Sequence, residues 1–157
     1  EYTFVITGDR NLVANFELNN YTITATANPT EGGSIAGAGN YNHFESCTLT
    51  ATPEEGYHFV SWTEGENGQV LYTTDESGNT TTTPIGAEYS FEVEGARTLV
   101  ANFELNSYTI EATAEHGTVT GAGTYTHGQT ATLTATPATG YHFIYWTRHV
   151  EISYTTE

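Results

Sequence analysis

The chain has 157 residues, of which 19 are acidic and three are basic, and its net charge at neutral pH is −16. Nucleic acids and anionic lipid surfaces are bound through basic side chains, and a membrane span needs roughly 20 consecutive apolar residues, so neither nucleic-acid binding nor direct membrane insertion is expected. Abundant Thr, Tyr and Phe favour strands and predict an all-β fold with little or no helix.

Residues 1–17 are the first element of the chain, and their pattern is that of two short strands. Residues 2–4 (Tyr-Thr-Phe) and 12–16 (Leu-Val-Ala-Asn-Phe) recur as 89–91 (Tyr-Ser-Phe) and 99–103 (Leu-Val-Ala-Asn-Phe). We therefore interpret 1–17 as the closing hairpin of a preceding repeat. Its candidates for contacts that complete an incomplete repeat are Tyr2, Phe4, Ile6, Leu12 and Phe16.

The next segment, 21–27, alternates apolar residues with threonine, which is typical of a half-buried strand. It recurs at 108–114 with the same alternation. We expect Ile23 and Ile110 to lie in the core and the threonines of both segments to face solvent.

Further strands are predicted at 33–36, 47–52 and 58–63, separated by turns that contain glycine or proline. In the last of these strands, Val60 and Trp62 share a face and are both expected in the core.

Cys47 is the only cysteine of the chain, which excludes an intrachain disulfide and a cysteine-based zinc cluster. It alternates in phase with Leu49 and aligns with Ala131 of the next repeat. We therefore interpret Cys47 as a small buried residue of the core.

Residues 64–88 form a long polar insert. The turn 75–79 (Asp-Glu-Ser-Gly-Asn) is expected to join two threonine-rich strands as a hairpin. Asp75, Ser77 and Asn79 alternate as the ligands of a calcium loop do, but the glycine falls at the fourth position and the closing glutamate is missing. We therefore predict no metal site in this turn.

The strands at 89–93 and 99–103 end the repeat, and Gly95-Ala96 between them is predicted to be a hairpin turn. The pattern of the earlier strands then starts again. The sequence thus predicts a complete repeat at 20–105 and a partial repeat at 107–157 that lacks its closing strands.

Taken together, these segments resemble the divergent internalin-type B-repeat, a family of small repeats in bacterial surface and secreted proteins. The residues that carry the resemblance are Tyr-x-Ile-x-Ala at 21–25, Gly-x-Gly-x-Tyr at 37–41 and 121–125, Thr-Leu-Thr-Ala-Thr-Pro at 48–53, Gly-Tyr-x-Phe-x-x-Trp at 56–62 and 140–146, and Leu-Val-Ala-Asn-Phe at 99–103. The resemblance covers nearly the whole chain. It implies tandem small β-grasp-like repeats, arranged in arrays on cell-surface proteins and without catalytic residues.

The sequence offers no candidate for a catalytic, cofactor-binding or metal-ligating residue. His43 recurs as His127 and His58 as His142, but no Asp, Glu or Cys at ligand spacing is shared by both repeats. All three basic residues are arginines, so the absence of lysine excludes Schiff-base chemistry and lysine-to-asparagine isopeptide bonds. We expect no cofactor and no enzymatic activity.

Two functions remain compatible with these patterns. The first is an extracellular or cell-surface stalk that spaces a distal domain, whose partners are neighbouring repeats or other copies of the same chain. The second is a module that binds a glycan or a host matrix protein through the 64–88 insert and exposed aromatic residues. The candidates for such a ligand contact are Trp62, Tyr72, Tyr145 and Trp146, with Tyr154 beyond them.

The burial of Trp62 and Trp146 discriminates between these functions. These two residues occupy the same position in the two repeats. A residue that every repeat requires is more often part of the core than a sugar-stacking platform. Buried tryptophans without a pocket favour the stalk.

Overall fold

The computed structural model describes residues 1–148, and its regular structure there is β apart from the 3₁₀ turn Thr30–Gly32. The all-β prediction is therefore confirmed, whereas the β-grasp-like arrangement stays a prediction. Within 1–148 no helix has the length and apolar character of a membrane span. The chain forms two compact units: unit 1 comprises Glu1–Glu54 and His58–Glu104, and unit 2 comprises Glu55–Tyr57 and the chain from Leu105 onward.

Unit 1 is built from two larger sheets and a separate hairpin. Its strands are β1 (Asn20–Asn28), β2 (Gly33–Ala36), β3 (Gly39–Asn42), β4 (Ser46–Pro53), β5 (Tyr57–Glu64), β6 (Gln69–Val70), β7 (Tyr72–Thr74), β8 (Thr80–Pro84), β9 (Glu88–Glu92) and β10 (Arg97–Leu105). One sheet has the order β3-β1-β10-β5-β6 and the second has the order β2-β4-β9, while β7 pairs with β8. The strands predicted at 21–27, 33–36, 47–52 and 58–63 are confirmed.

The centre of the first sheet is a parallel pair of strands, β1 and β10. Ile23 lies opposite Arg97 and Asn28 lies opposite Asn102. The amide Nδ2 of Asn28 donates to Oδ1 of Asn102 at 3.0 Å, at the end of the pair. The first strand of the repeat therefore has its longest pairing with the last strand of the repeat.

The core of unit 1 is formed by inward-facing side chains from both larger sheets. Ile23 and Cys47 are buried as predicted, and Trp62 is completely enclosed. The indole Nε1 of Trp62 donates to the carbonyl oxygen of Gly86 at 3.1 Å, which satisfies its one polar group. The buried apolar residues are Ile23, Cys47, Leu49, Ala51, Trp62, Val93, Leu99, Ala101 and Phe103.

The predicted hairpin across Gly95-Ala96 is wrong. Strands β9 and β10 lie in different sheets, β9 beside β4 and β10 between β1 and β5. The alternation predicted for β10 is confirmed, since Leu99 and Phe103 are buried. Alternation assigns faces to a strand but does not identify its neighbour, so the connection crosses from one sheet to the other.

The predicted phase of β5 is only half correct. Trp62 is in the core, but Val60 is exposed, and Phe59 and Ser61 turn inward instead. The aromatic ring of Phe59 packs against Trp62 and Phe103, with both centroid distances at 5.9 Å. These contacts fix the inward side of the strand at Phe59, so the strict alternation is interrupted between Ser61 and Trp62.

The insert folds as the predicted hairpin, with β7 and β8 antiparallel and Thr74 opposite Thr80. The carboxylate Oδ1 of Asp75 accepts the backbone N–H groups of Ser77 and Asn79, both at 2.9 Å. The hydrogen bonds from Asn79 lower the pKa of Asp75 below its ordinary value of 3.8. The carboxylate that suggested a calcium loop therefore stabilises its own turn.

Residues 1–19 form no strand in the structure. Ile6, Leu12 and Phe16 are exposed, whereas Phe4 is half-buried. The assignment of 1–17 as the closing hairpin of a preceding repeat concerns a unit that the segment would complete, and it stays a prediction.

Unit 2 contains β11 (Ser107–Ile110), β12 (Gly117–Thr120), β13 (Gly123–Thr126) and β14 (Thr134–Pro137). Strand β11 pairs with β13, and β12 pairs with β14, both in antiparallel orientation. Ile110 is half-buried rather than enclosed in a core, and Thr109 is exposed as predicted. The partial repeat predicted at 107–157 runs beyond residue 148, and its last residues lie outside the described range.

Candidate functional site

The strand pairs of unit 2 reproduce those of unit 1 in the same register. Tyr108 lies opposite Tyr125 as Tyr21 lies opposite Tyr41. In the second pair, Val119 opposes Ala135 as Ile35 opposes Ala51. The two units are thus repeats in structure as well as in sequence, up to the end of the fourth strand of each.

A glycine turn is also shared by both units. Gly37 and Gly121 have φ angles of +93° and +92°, and a Cβ at either position would collide with the carbonyl oxygen of Thr48 or of Thr132. Only glycine fits this turn, because an L side chain disfavours the positive φ and has no space there.

The strand pairings that the described part of unit 2 lacks are those that β9 and β10 make in unit 1. Residues 111–114 align with the part of β1 that pairs with β10, and they have no strand partner. Residues 130–133 align with the part of β4 that pairs with β9, and they also form no strand. Residues 141–148, aligned with β5, are likewise unpaired. The described part of unit 2 is therefore a repeat without its closing strands.

The described residues of unit 2 line an open cavity of about 980 Å³. Several of its lining residues are the counterparts of inward-facing or core residues of unit 1: Ala112, Ala114, Val119, Leu133, Phe143 and Trp146. The lining also includes polar residues such as Glu111, Thr113 and Arg148. In unit 1, Leu99, Ala101 and Phe103 of β10 belong to the same core as the counterparts of these lining residues.

Trp146 shows the effect of this opening on one side chain. Trp62 is fully buried, whereas 46% of the surface of Trp146 is exposed. The local contact with the preceding aromatic residue is nevertheless kept, because Phe143 lies 5.7 Å from Trp146 as Phe59 lies 5.9 Å from Trp62. Unit 2 thus has the local geometry of the core without the strands that would enclose it.

The segment 1–18 carries the residues that the open face lacks. In unit 1, Val93 and Phe103 are buried, and their counterparts in this segment, Ile6 and Phe16, are 81% and 94% exposed. The aromatic pair Tyr2 and Phe4, with centroids 5.3 Å apart, reproduces the pair in β9. The segment therefore has the side chains of a closing pair of strands but forms no strand in the structure.

Arginine is a shared part of this closing pattern. The guanidinium of Arg10 lies 4.6 Å from the ring centre of Phe4, and that of Arg97 lies 4.2 Å from the ring centre of Phe91. Arg97 also forms an ion pair with Glu64 of β5. The hydrogen bonds to Glu64 raise the pKa of Arg97 above its ordinary value, so this group is cationic throughout the physiological range.

The counterpart of Glu64 in unit 2 is Arg148. An arginine in a closing strand that occupied the open face would meet a second cation at this position. The sequence alone did not predict the pair between Glu64 and Arg97, because no local pattern links residues this far apart.

The ligand-contact candidates do not form one site. Trp62 is enclosed in unit 1 and presents no ring face to a ligand, and Tyr72 lies on β7 of the same unit. Tyr145 and Trp146 are exposed and both line the cavity of unit 2. Tyr154 lies outside the described residues. The further cavity residues, such as Leu133 and Phe143, are not among the predicted ligand contacts, although both align with inward-facing residues of unit 1.

Within residues 1–148, no group of three or more His, Cys, Asp and Glu side chains is placed to hold a metal ion. The Nδ1 atom of His43 is buried without a hydrogen bond, and its ring packs between Tyr21 and Phe44. An aromatic environment of this kind supplies no second ligand for a metal.

The comparisons with known proteins identify a repeat family. The sequence pattern of the divergent InlB B-repeat domain matches residues 23–107 and again residues 108–157. No curated protein and no solved structure matches the chain.

Proposed function

Because the chain belongs to the divergent InlB B-repeat family, whose members are repeat modules of bacterial surface proteins, we propose that it acts as a non-catalytic extracellular stalk. In this role each unit adds a fixed length between an anchor and a distal domain. Its partners are neighbouring repeats. The stalk also has the capacity to join copies end to end through closing strands.

The observation that carries this proposal is the single-residue link between repeats. Strand β10 ends at Leu105 and β11 begins at Ser107, so only Asn106 separates them. Within unit 2, the N–H of Asn106 donates to the carbonyl oxygen of Gly56 at 2.8 Å, and its own carbonyl accepts the N–H of His127 at 2.8 Å. A single linking residue with both backbone groups bonded within unit 2 favours a short spacer over a long flexible Gly/Ser linker.

The proposal is tested by measuring length against repeat number. Arrays of one, two and three copies of residues 20–106 are labelled at their two ends, and the end-to-end distance is measured by energy transfer or small-angle scattering. A stalk lengthens in proportion to the number of copies. A Gly/Ser chain of equal residue count is the control, because its length grows as the square root. Square-root growth of the repeat array would contradict the stalk.

A second candidate function is ligand binding at the cavity of unit 2, which is favoured by the exposed rings of Tyr145 and Trp146. A screen of the 157-residue chain against glycans and matrix proteins tests it. Specific binding that is lost in both Tyr145→Ala and Trp146→Ala, and kept in Tyr72→Ala, would favour this function over a purely spatial role.

A further inference from the structure

We propose that Phe44 and the asparagine side chains beside its turn form a binding site for a neutral glycan on unit 1. Phe44 is the third residue of the turn 42–45, which connects β3 with β4. Its side chain is 60% exposed. The proposal goes beyond the spatial role of a stalk, and none of its residues lines the cavity of unit 2.

The first argument is the backbone conformation of Phe44. Its φ is +63°, and among residues 1–148 no other residue except glycine has a φ in the left-handed region. Repulsion between the Cβ and the backbone makes this region unfavourable for a bulky side chain. A strained residue persists only where the surrounding structure holds it, and such residues cluster at binding and active sites.

The second argument is that the same turn in unit 2 contains glycine. Gly128 aligns with Phe44 and has a φ of +81°. In each turn the N–H of the fourth residue donates to the carbonyl oxygen of the first, at 3.0 Å in unit 1 and at 3.1 Å in unit 2. A Cβ at Gly128 would meet nothing within 4 Å, so this position points into open space there as well. The turn therefore forms without a phenyl ring, and folding alone does not explain Phe44.

The third argument is that the ring of Phe44 is held in place. The N–H of Phe44 donates to the carbonyl oxygen of Val93 at 2.8 Å. The centre of its ring lies 3.9 Å from that of His43, and His43 in turn packs against Tyr21 with a centroid distance of 5.9 Å. An aromatic surface that is fixed before binding loses little conformational entropy when a ligand stacks on it.

Side-chain amides surround the start of this turn. Asn42 is the first residue of the turn, and Asn20, opposite it on β1, donates to its Oδ1 at 3.4 Å. The Oδ1 of Asn40 accepts the hydroxyl of Thr22 at 2.8 Å. Both bonds use the oxygen atoms, and the Nδ2 groups of Asn40 and Asn42 have no hydrogen-bond partner within the described chain, 1–148. These groups are therefore able to donate to a ligand.

The amides occur only in the unit that contains Phe44. The residues of unit 2 that align with the three asparagines carry hydroxyl groups instead: Ser107, Thr124 and Thr126. The strands that bear them pair in the same register as in unit 1. The difference between the two units at this place is therefore chemical, and it affects the ring and the amides together.

This chemistry favours a neutral sugar as the ligand. The apolar C–H face of a pyranose stacks on an aromatic ring, while its hydroxyl groups accept hydrogen bonds from amides. The net charge of −16 disfavours anionic glycans. The nearest carboxylate in the sequence, that of Glu45, accepts the N–H of Asn42 at 2.8 Å and is thus engaged within the turn rather than available to a cation.

The first test is an NMR titration of the 157-residue chain with three neutral probes, cellohexaose, chitohexaose and mannohexaose. At least one of them should shift the amide signals of residues 42–45 at millimolar concentration. Hexagalacturonate, which is anionic, is the control and should leave these signals in place. The absence of shifts at 42–45 with all three neutral probes overturns the proposal, and equal shifts with the anionic probe overturn the neutral class of ligand.

The second test separates binding from folding at Phe44. Phe44→Gly should abolish the shifts and keep or raise the thermal stability, because glycine accepts the positive φ without strain. Phe44→Ala should weaken binding at least about tenfold, as the loss of an aromatic anchor does, and Phe44→Tyr should bind as the native chain does. Tyr72→Ala removes another exposed ring and is the matched control. Binding that survives Phe44→Gly, or that is lost equally in Tyr72→Ala, overturns the site.

The third test addresses the amides and the other possible occupant. Asn42→Thr introduces the residue of unit 2, so the fold should be kept while the affinity for the bound probe falls several-fold. An unchanged affinity removes the amide of Asn42 from the site. Sedimentation without sugar should give the same mass for the native chain and Phe44→Gly. Oligomers that form only in the presence of Phe44 would assign the ring to a contact between copies and overturn the glycan site.

Discussion

The guanidinium of Arg97 meets the carboxylate of Glu64 through two parallel hydrogen bonds, from Nε to Oε1 at 2.7 Å and from Nη2 to Oε2 at 2.6 Å. The pair joins the neighbouring strands β10 and β5 at the edge of the core. A third donor, Nη1, reaches the hydroxyl of Tyr89 at 3.0 Å. One side chain of the closing strand therefore ties together three elements of unit 1.

This geometry predicts a measurable but small coupling. Both side chains are partly exposed, so solvent screening limits the pair to about 1 kcal/mol or less. Glu64→Gln, Arg97→Gln and the double variant form a cycle whose coupling energy is read from urea melts. Arg97→Lys is the control, since lysine keeps the charge and loses the two-pronged contact. A coupling of zero would show that the pair does not stabilise unit 1.

The two tryptophans are expected to differ in their contributions to stability. Trp62→Ala should cost about 3 to 5 kcal/mol, because it removes a large enclosed side chain from a complete core. Trp146→Ala should cost clearly less in the monomeric chain, since nearly half of that residue is already in water. Denaturant melts of the single variants measure both values. Similar losses would mean that the face of unit 2 is enclosed in solution.

Alanine substitutions at two glycines with positive φ distinguish the cost of a steric collision from the cost of the backbone conformation. Gly37→Ala and Gly65→Ala both place a Cβ on a left-handed backbone, which costs about 1 to 2 kcal/mol. At Gly37 the Cβ also collides with the carbonyl of Thr48, whereas nothing lies within 4 Å at Gly65. The variant at Gly37 should therefore lose more stability in thermal melts. Equal losses would show that the turn relaxes to admit a side chain.

Acid is expected to loosen the β7–β8 hairpin through Asp75. Its pKa is lowered in the fold, so its contribution is present above the ordinary value of 3.8 and is lost as the pH falls through the lower, folded value. NMR shifts of the Ser77 and Asn79 amides over an acid titration report this change. In Asp75→Asn the same amides should show no such transition. A transition that persists in that variant would assign it to another carboxylate.

Much of the fold could be predicted because the repeats carry the period-two pattern twice. For this reason, the predicted strand at 21–27 and the predicted burial of Trp62 are both confirmed. Val60 was misassigned, because the change of phase at Ser61 depends on the contacts of Phe59 with distant rings. Local alternation contains no information about such contacts.

The pairing of the closing strands could not be predicted from their sequences. Two short strands joined by Gly95-Ala96 have the sequence pattern of a hairpin. In the structure, however, β10 pairs in parallel with β1, from Ile23 onward. The open face of the candidate site could not be predicted from the sequence either. The segment 1–17 was recognised from its repeat, but the open face became visible only when the partners of β10 were known.

The parallel pairing of β1 with β10 also determines when a repeat can fold during synthesis. Asn28 and Asn102 are separated by 74 positions, and their strands meet only after all the intervening residues have been made. Contacts of such long sequence separation form slowly. In a growing array, we therefore expect the youngest repeat to remain incomplete while the older ones are already closed. At each stage of synthesis, the repeat most able to mispair is then the one made last.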